Sequence, residues 1–274
     1  MGGAHRPGRA HRQYFRDAWR VAPARGNPYC RLELHLLAGQ VEGGDGLVYI
    51  DPGRRGLERA AAPPDGRWPA DAGILEQDPL RLQSGRTVGA VHFRPGLRVN
   101  PVYTDDPSAL TGWTEAVFPD GEGSPLEPSQ YVGIDGKLVM FFRDQASSFV
   151  KLASISEDQG ASWTAPMKTD IPDSRSKQCA GTLPDGRAFW VGNPTGSKSR
   201  RVLALALSTD GYNFDKAFLL AGPADLPPRR NEGRYKTIGY NYPKAVVLGD
   251  TLWISLSINK EDAVLFRIPL ESLH

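Results

Sequence analysis

Apolar residues come in short runs along this chain, and the best defined are entered directly from a polar turn: GDG before LVYI at Asp45, QSG before RTVGAVHF at Ser84, IDG before KLVMFF at Asp135, PDG before RAFWVG at Asp185, and LGD before TLWISLS at Asp250. The runs are rich in β-branched and aromatic residues, which suit a pleated, half-buried surface. An Asp-Gly pair between extended segments is a strong short-range hairpin signal, so five hairpins are expected. Helix is not. The chain's 23 prolines and 30 glycines interrupt it too often for long helices.

A second pattern runs beside the first. SEDQGASW, Ser156 to Trp163, follows the extended stretch KLVMFFRDQASSFVKLASI and precedes a short TAP. In a turn between strands Asp158 can accept backbone N–H groups, Gly160 can take a positive φ, and Trp163 can cover the hairpin's end. STDGYNF, Ser208 to Phe214, repeats the pattern one residue shorter, with Ser208, Asp210, Gly211 and Phe214 in the corresponding places. TDDPSALTGW, Thr104 to Trp113, is a looser and longer version. Thr104, Ser156 and Ser208 are each 52 residues apart. A period near fifty with about four short strands per unit predicts an all-β propeller, one blade per repeat.

Composition fits a single large core. At 274 residues, 40% hydrophobic and 23% charged, the chain has the length for one or two domains, and the repeats argue for one. No apolar run approaches the ~20 residues of a membrane span. Cys30 and Cys179 match no metal spacing and read as ordinary thiols, and the five histidines show no ligand pattern, so neither metal nor cofactor is expected. The net charge of +2 hides an Arg-rich start. Residues 1–26 carry six arginines against one aspartate, which leaves the remainder acidic. That segment has no apolar h-region, so the sequence as it stands reads as cytoplasmic, and as secreted if its N-terminus is incomplete. Residues 1–26 are expected to be a flexible segment and 27–274 the propeller. Tyr14, Phe15 and Trp19 are the only aromatics among those arginines, and an acidic body argues against nucleic acid as a partner.

SEDQGASW resembles the Asp-box, or BNR repeat, of the sialidase superfamily, and the stretch around it is similar to sialidases in order as well as in motif. In LEPSQYVGIDGKLVMFFRDQASSFVKLASISEDQGASW, Glu127 falls where that family has a glutamate opening a strand, and Arg143 where an arginine closes the next. NPTGSKSRRVLALALSTDGYNF resembles the following blade and its substrate arginine, with Arg200 the better match and Arg201 the alternative. IGYNYPKAVVLGDTLWISLS resembles the last blade, whose opening tyrosine is the nucleophile. Tyr242 matches by its distance to the Gly-Asp turn, and Tyr240 stands two residues earlier on the expected same face. The resemblance implies six blades, substrate binding by Arg143, Arg200 or Arg201, Arg234 and Asn193, and an acidic sugar of a glycan as substrate. A sugar with a carboxylate on its anomeric carbon repels an anionic nucleophile, so a tyrosine relayed to a glutamate base suits it. Guanidinium forks suit its carboxylate.

The sequence also departs from that family. No Arg-Ile-Pro precedes Glu127, where the family's first blade carries one with an acid/base aspartate. The FRIP string at Phe266 to Pro269 belongs to the final strand. Three functions therefore stay open: a glycosidase acting on a terminal acidic sugar, a polysaccharide lyase using a tyrosine base with arginines on a uronate carboxylate and His92 assisting, and a carbohydrate-binding propeller without catalysis.

Overall fold

A computed structural model describes residues 48–49, 58–59, 73–75, 78–93 and 98–273. The Arg-rich segment, Cys30 and the Asp45 turn lie outside the described residues. Apart from a two-stranded ribbon of β1 (Val48–Tyr49) and β2 (Glu58–Arg59), the strands form four antiparallel sheets. Blade 1 holds β3 (Gly73–Leu75), β4 (Leu80–Arg81), β5 (Thr87–Phe93), β6 (Arg98–Thr104) and β7 (Thr114–Glu115). Blade 2 runs in order through β8 (Pro125–Val132), β9 (Leu138–Asp144), β10 (Val150–Ser156) and β11 (Met167–Pro172). Blade 3 follows as β12 (Cys179–Thr182), β13 (Ala188–Gly192), β14 (Leu203–Ser208) and β15 (Lys216–Ala221). Blade 4 has three strands, β16 (Tyr240–Leu248), β17 (Thr251–Ile258) and β18 (Asp262–Pro269), the last carrying the FRIP string. Two short 3₁₀ turns are the only helical elements among the described residues.

The turn repeats mark the blades as expected. The turns at Ser84, Asp135, Asp185 and Asp250 join β4 to β5, β8 to β9, β12 to β13 and β16 to β17, one per blade. The described residues thus make four blades, where five units were counted and the resemblance implied six. The blades form a propeller ring. β8 packs against β5, β6 and β12, and β12 against β16. Lys244 of blade 4 reaches Asp78, just before β4, at 3.5 Å and links the ring's two ends.

The apolar runs of β9, β13 and β14 are continuous because these strands are buried on both faces. Along β9, Leu138, Met140 and Phe142 enter a cluster shared with Val88, Ala90 and Val99 of blade 1, while Val139 and Phe141 enter one shared with Ala188, Trp190 and Ala206 of blade 3. A third cluster joins Leu203, Leu205 and Leu207 of blade 3 to Leu252, Ile254 and Leu256 of blade 4. The core therefore lies between blades.

The Asp-box turns join the third and fourth strands. The Asp158 carboxylate accepts from Ser156 Oγ at 2.8 Å, Ser162 N at 2.8 Å and Ser162 Oγ at 2.5 Å, and Gly160 N donates to Ser156 Oγ at 2.8 Å. Gly160 has φ +87°, and a Cβ there would lie 2.9 Å from Val88 of blade 1. Trp163 is buried and its indole N–H donates to the Gly160 carbonyl. Asp210 repeats the design with Ser208 Oγ and the backbone N–H groups of Tyr212 and Asn213. Gly211 N donates to Ser208 Oγ, the Gly211 carbonyl accepts from Tyr131 OH of blade 2 at 2.6 Å, and Phe214 packs on Phe141. In the longer first version Asp106 accepts from Ser108 and Thr111. Each box tightens its own turn, and the second and third also lean on the preceding blade.

Candidate functional site

At the end of the blades opposite the Asp-boxes, two innermost strands are broken in the same way. The register of β8 on β9 shifts between Leu126 and Ser129, leaving Glu127 and Pro128 in a bulge. That of β16 on β17 shifts between Asn241 and Lys244, leaving Tyr242 and Pro243. Proline cannot donate to the ladder and drives the preceding residue out of the right-handed helical region. Glu127 and Tyr242 respond with φ of 51° and 58°, a costly conformation for non-glycine residues. A bulge re-aims a side chain. Glu127 is held there by its backbone N–H, which donates to His92 Nε2 at 3.1 Å, and by its carbonyl, which accepts from Gln178 at 3.0 Å.

Cations gather around these two groups. Arg143, at the end of β9, donates to Glu127 Oε2 at 3.0 Å and to Gln145 Oε1 at 2.7 Å. Arg200, between β13 and β14, lies over the Tyr242 ring at 5.4 Å and donates to Asn241 Oδ1 and the Arg175 carbonyl. Its backbone runs parallel to Gly239 and accepts from Tyr240 N at 2.8 Å. A Cβ at Gly239 would lie 2.1 Å from the Arg200 carbonyl oxygen, so only glycine permits this approach. Lys260, in the β17–β18 turn, donates to the Tyr242 hydroxyl at 3.1 Å and to the Tyr235 carbonyl at 3.0 Å. Burial pushes the Tyr242 phenol up, but the Lys260 hydrogen bond and charge, together with the Arg200 guanidinium beside the ring, outweigh it and bring the group below its ordinary value. The Glu127 charge is near enough to oppose them.

A buried polar network supports the site. Lys151 of β10 is fully enclosed, and its ammonium donates to Asp173 Oδ1 at 2.7 Å, Gln178 Oε1 at 2.6 Å and the Ser176 carbonyl at 3.0 Å. Burial pulls the Lys151 pKa down, against the pull of Asp173. Asp173 also accepts from Asp144 N, so the strand carrying Arg143 is tied to the loop between blades 2 and 3. Satisfied networks of this kind rigidify the groups they hold.

Among the expected site residues, Glu127, Arg143, Arg200 and Tyr242 share this end of the ring. Tyr240 does not join them. It is buried, its hydroxyl donates to the Gly222 carbonyl at 2.9 Å, and burial raises it to about 12. The bulge separates the faces that strict alternation would have shared. Asn193 is also buried, tying Ser176, the Val202 carbonyl and the Tyr240 carbonyl together beneath the surface. Arg201 is exposed, and Arg234 stacks on Tyr235 at 4.8 Å in the loop before β16. The Glu127 carboxylate, expected within reach of a tyrosine hydroxyl, is instead paired with Arg143. Sequence reasoning missed Lys260, Arg175 and the Lys151 network. The first had a signal: Asn259-Lys260 sits between two alternating strands, where a hairpin turn favours Asn-Gly.

Residues 52–254 match the family model described as BNR repeat-like domain. No curated protein sequence matches the chain. Among solved structures it is similar to a Hadza microbial sialidase, with TM-score 0.55 at 14% identity over 71% of this chain and 37% of that one. It is also similar to the NanB sialidase of Streptococcus pneumoniae, with TM-score 0.54 at 17% identity over 73% and 31% of the two chains. The intramolecular trans-sialidase of Ruminococcus gnavus, solved with oseltamivir carboxylate, gives 0.51 at 15% over 73% and 43%. The chain thus spans less than half the length of these three structures, and at such identities they share its fold. With four blades among the described residues, Asp-box turns and a family match over most of its length, the chain belongs to the BNR repeat-like family, with a sialidase-type propeller.

Proposed function

We propose that the protein is a sialidase-like glycoside hydrolase acting on a terminal acidic sugar of a glycan. The observation that carries this reading is the gathering of Tyr242, Arg200, Glu127 and Arg143 from three blades at one end of the ring, two of them on matching strained bulges. Backbone strain of this kind clusters at working sites. Arg200 and Arg143 supply charge for the sugar carboxylate, the latter by exchanging Glu127 or Gln145 for substrate. The Tyr242 oxygen, its proton lost to solvent, attacks the anomeric carbon as the glycosidic bond breaks, and the aglycone oxygen leaves with the bonding pair and takes up a proton from water. Water then cleaves the tyrosyl glycoside, releasing the sugar with its configuration retained.

One observation favours a second reading. With Glu127 paired to Arg143 and two cations on Tyr242, the tyrosine suits a base that removes a proton beside a uronate carboxylate, as in a lyase. Product analysis separates them. Free acidic sugar from a sialylated glycan supports hydrolysis, an ultraviolet-absorbing unsaturated uronate supports elimination, and saturable binding without product reduces the protein to a carbohydrate-binding propeller.

A further inference from the structure

The turn that carries Lys260 is built against its own backbone preference. Glu261 N donates to the Ile258 carbonyl at 2.9 Å, and the two residues between them, Asn259 and Lys260, both have φ of 56°. β17 and β18 pair last at Ile258 and Asp262, so three residues connect them, and Asn259 and Lys260 are the two central residues of the tight turn, where two positive φ values are met best by Asn followed by Gly. Asn259 fits, and it also braces the turn: its Oδ1 accepts from Gly239 N at 2.9 Å and its Nδ2 donates to the Pro227 carbonyl at 3.0 Å. Lysine at the second position bears a steric cost that glycine would not. Its side chain supplies a reason for it. The ammonium is fixed between the Tyr235 carbonyl and the Tyr242 hydroxyl, and it also stands 4.8 Å from the centre of the Tyr242 ring.

The charged groups facing Tyr242 come from three elements. Lys260 approaches from the β17–β18 turn and Arg200 from the β13–β14 connection, while Glu127 acts from β8 with Arg143 bonded to its carboxylate. No hydrogen bond joins Glu127 to Tyr242 among the described residues. Resting on the reading of Tyr242 as the reacting group, we propose that Lys260 is its activating partner, a fixed ammonium that stabilises the phenolate form of the tyrosine oxygen and takes the place of a carboxylate base. The phenol gives its proton to solvent while the ammonium stays charged and bonded to the oxygen. The pair is then neutral overall, so the repulsion that a carboxylate-bearing sugar exerts on an anionic nucleophile is avoided. Lys260 acts through Tyr242 and is a positioning residue.

The test is a spectrophotometric titration of phenolate in the full chain, with the Tyr242→Phe curve subtracted to isolate one tyrosine. Tyr242 is expected to titrate below the ~10 of a free tyrosine. Lys260→Gly, which has the residue the turn prefers and should melt no lower than the parent, and Lys260→Gln should both move the midpoint up, while Lys260→Arg should keep it low. In any active preparation, the limb of the pH–rate profile that needs ionised Tyr242 should move by the same amount. A parent midpoint at or above ~10, or an unchanged midpoint in both neutral variants, overturns the proposal. The titration needs no substrate. A shifted midpoint in a chain that hydrolyses nothing would leave Lys260's role standing and remove the hydrolase reading alone.

Discussion

Glu127 and Tyr242 stand in matching places on blades 2 and 4: each precedes a proline, each occupies a bulge in its blade's innermost strand, and each has a positive φ, 51° and 58°. The likeness ends at their partners. Glu127 is neutralised by Arg143 and Tyr242 is bonded by Lys260, so one backbone device presents an acid and a phenol at the same end of the ring.

Arg143 should be exchanged with a loss of grip more than of chemistry. Lysine keeps the charge but cannot serve Glu127 and Gln145 at once, nor offer a fork to a carboxylate. Arg143→Lys is expected to raise KM about tenfold or more, equivalent to about 1.4 kcal/mol, with a smaller change in kcat. Steady-state kinetics on an acidic glycoside decides it, and an unchanged KM would remove Arg143 from substrate binding.

Asp158→Ala should lower stability by about 1–2 kcal/mol in urea unfolding while leaving the site's chemistry alone, since the turn is at the far end of blade 2. The acid dependence has a defined sign. Backbone N–H groups of Asn213 and Tyr212 hold the Asp210 carboxyl well below its ordinary range, and hydrogen bonds from Ser162 and Ser156 hold Asp158 below it against the effect of burial. Groups depressed on folding contribute stability that is present above the unfolded carboxylate pKa near 3.9 and is lost as pH falls through their folded values. Melting temperature should therefore drop less steeply between pH 4 and 2 in Asp210→Asn than in the parent, by about a degree or more.

Lys151→Met should be the more damaging change. It leaves Asp173 with a buried charge and takes a donor from Gln178, which positions Glu127. Breaking one partner of a buried pair costs about 3–5 kcal/mol, and chemical denaturation would register it. A loss below about 1 kcal/mol would mean that the network is less tightly closed than its geometry implies.

Gly239→Ala tests the link between backbone and site. Its Cβ would meet the Arg200 carbonyl, so the strand must part from Arg200. Reduced binding of an acidic sugar alongside a lower melting temperature is expected. Full binding in this variant would show that Arg200 is not held by that contact.

The blade repeat was legible because turn chemistry is local. Asp135 and Asp185 announce their hairpins with a following glycine, and Asp158 its box with the residues around it. Glu127, Arg143, Arg200 and Tyr242 were legible through order along the chain. What escaped depends on contacts between blades or on broken alternation. Tyr240 looked equivalent to Tyr242 until the bulge turned one inward, and Lys151, in an alternating strand, reads as a solvated lysine until Asp173 and Gln178 close over it. Lys260 was signalled only as a misplaced turn residue.

The most direct measurement is the turnover of an acidic glycoside by the parent and by Tyr242→Phe, with melting temperature followed in both. Phenylalanine keeps the ring that Arg200 and Lys260 lie against and removes only the oxygen. Free acidic sugar is expected from the parent, none above background from Tyr242→Phe, and melting within about 2 °C of each other. Equal turnover by the two proteins would contradict that expectation.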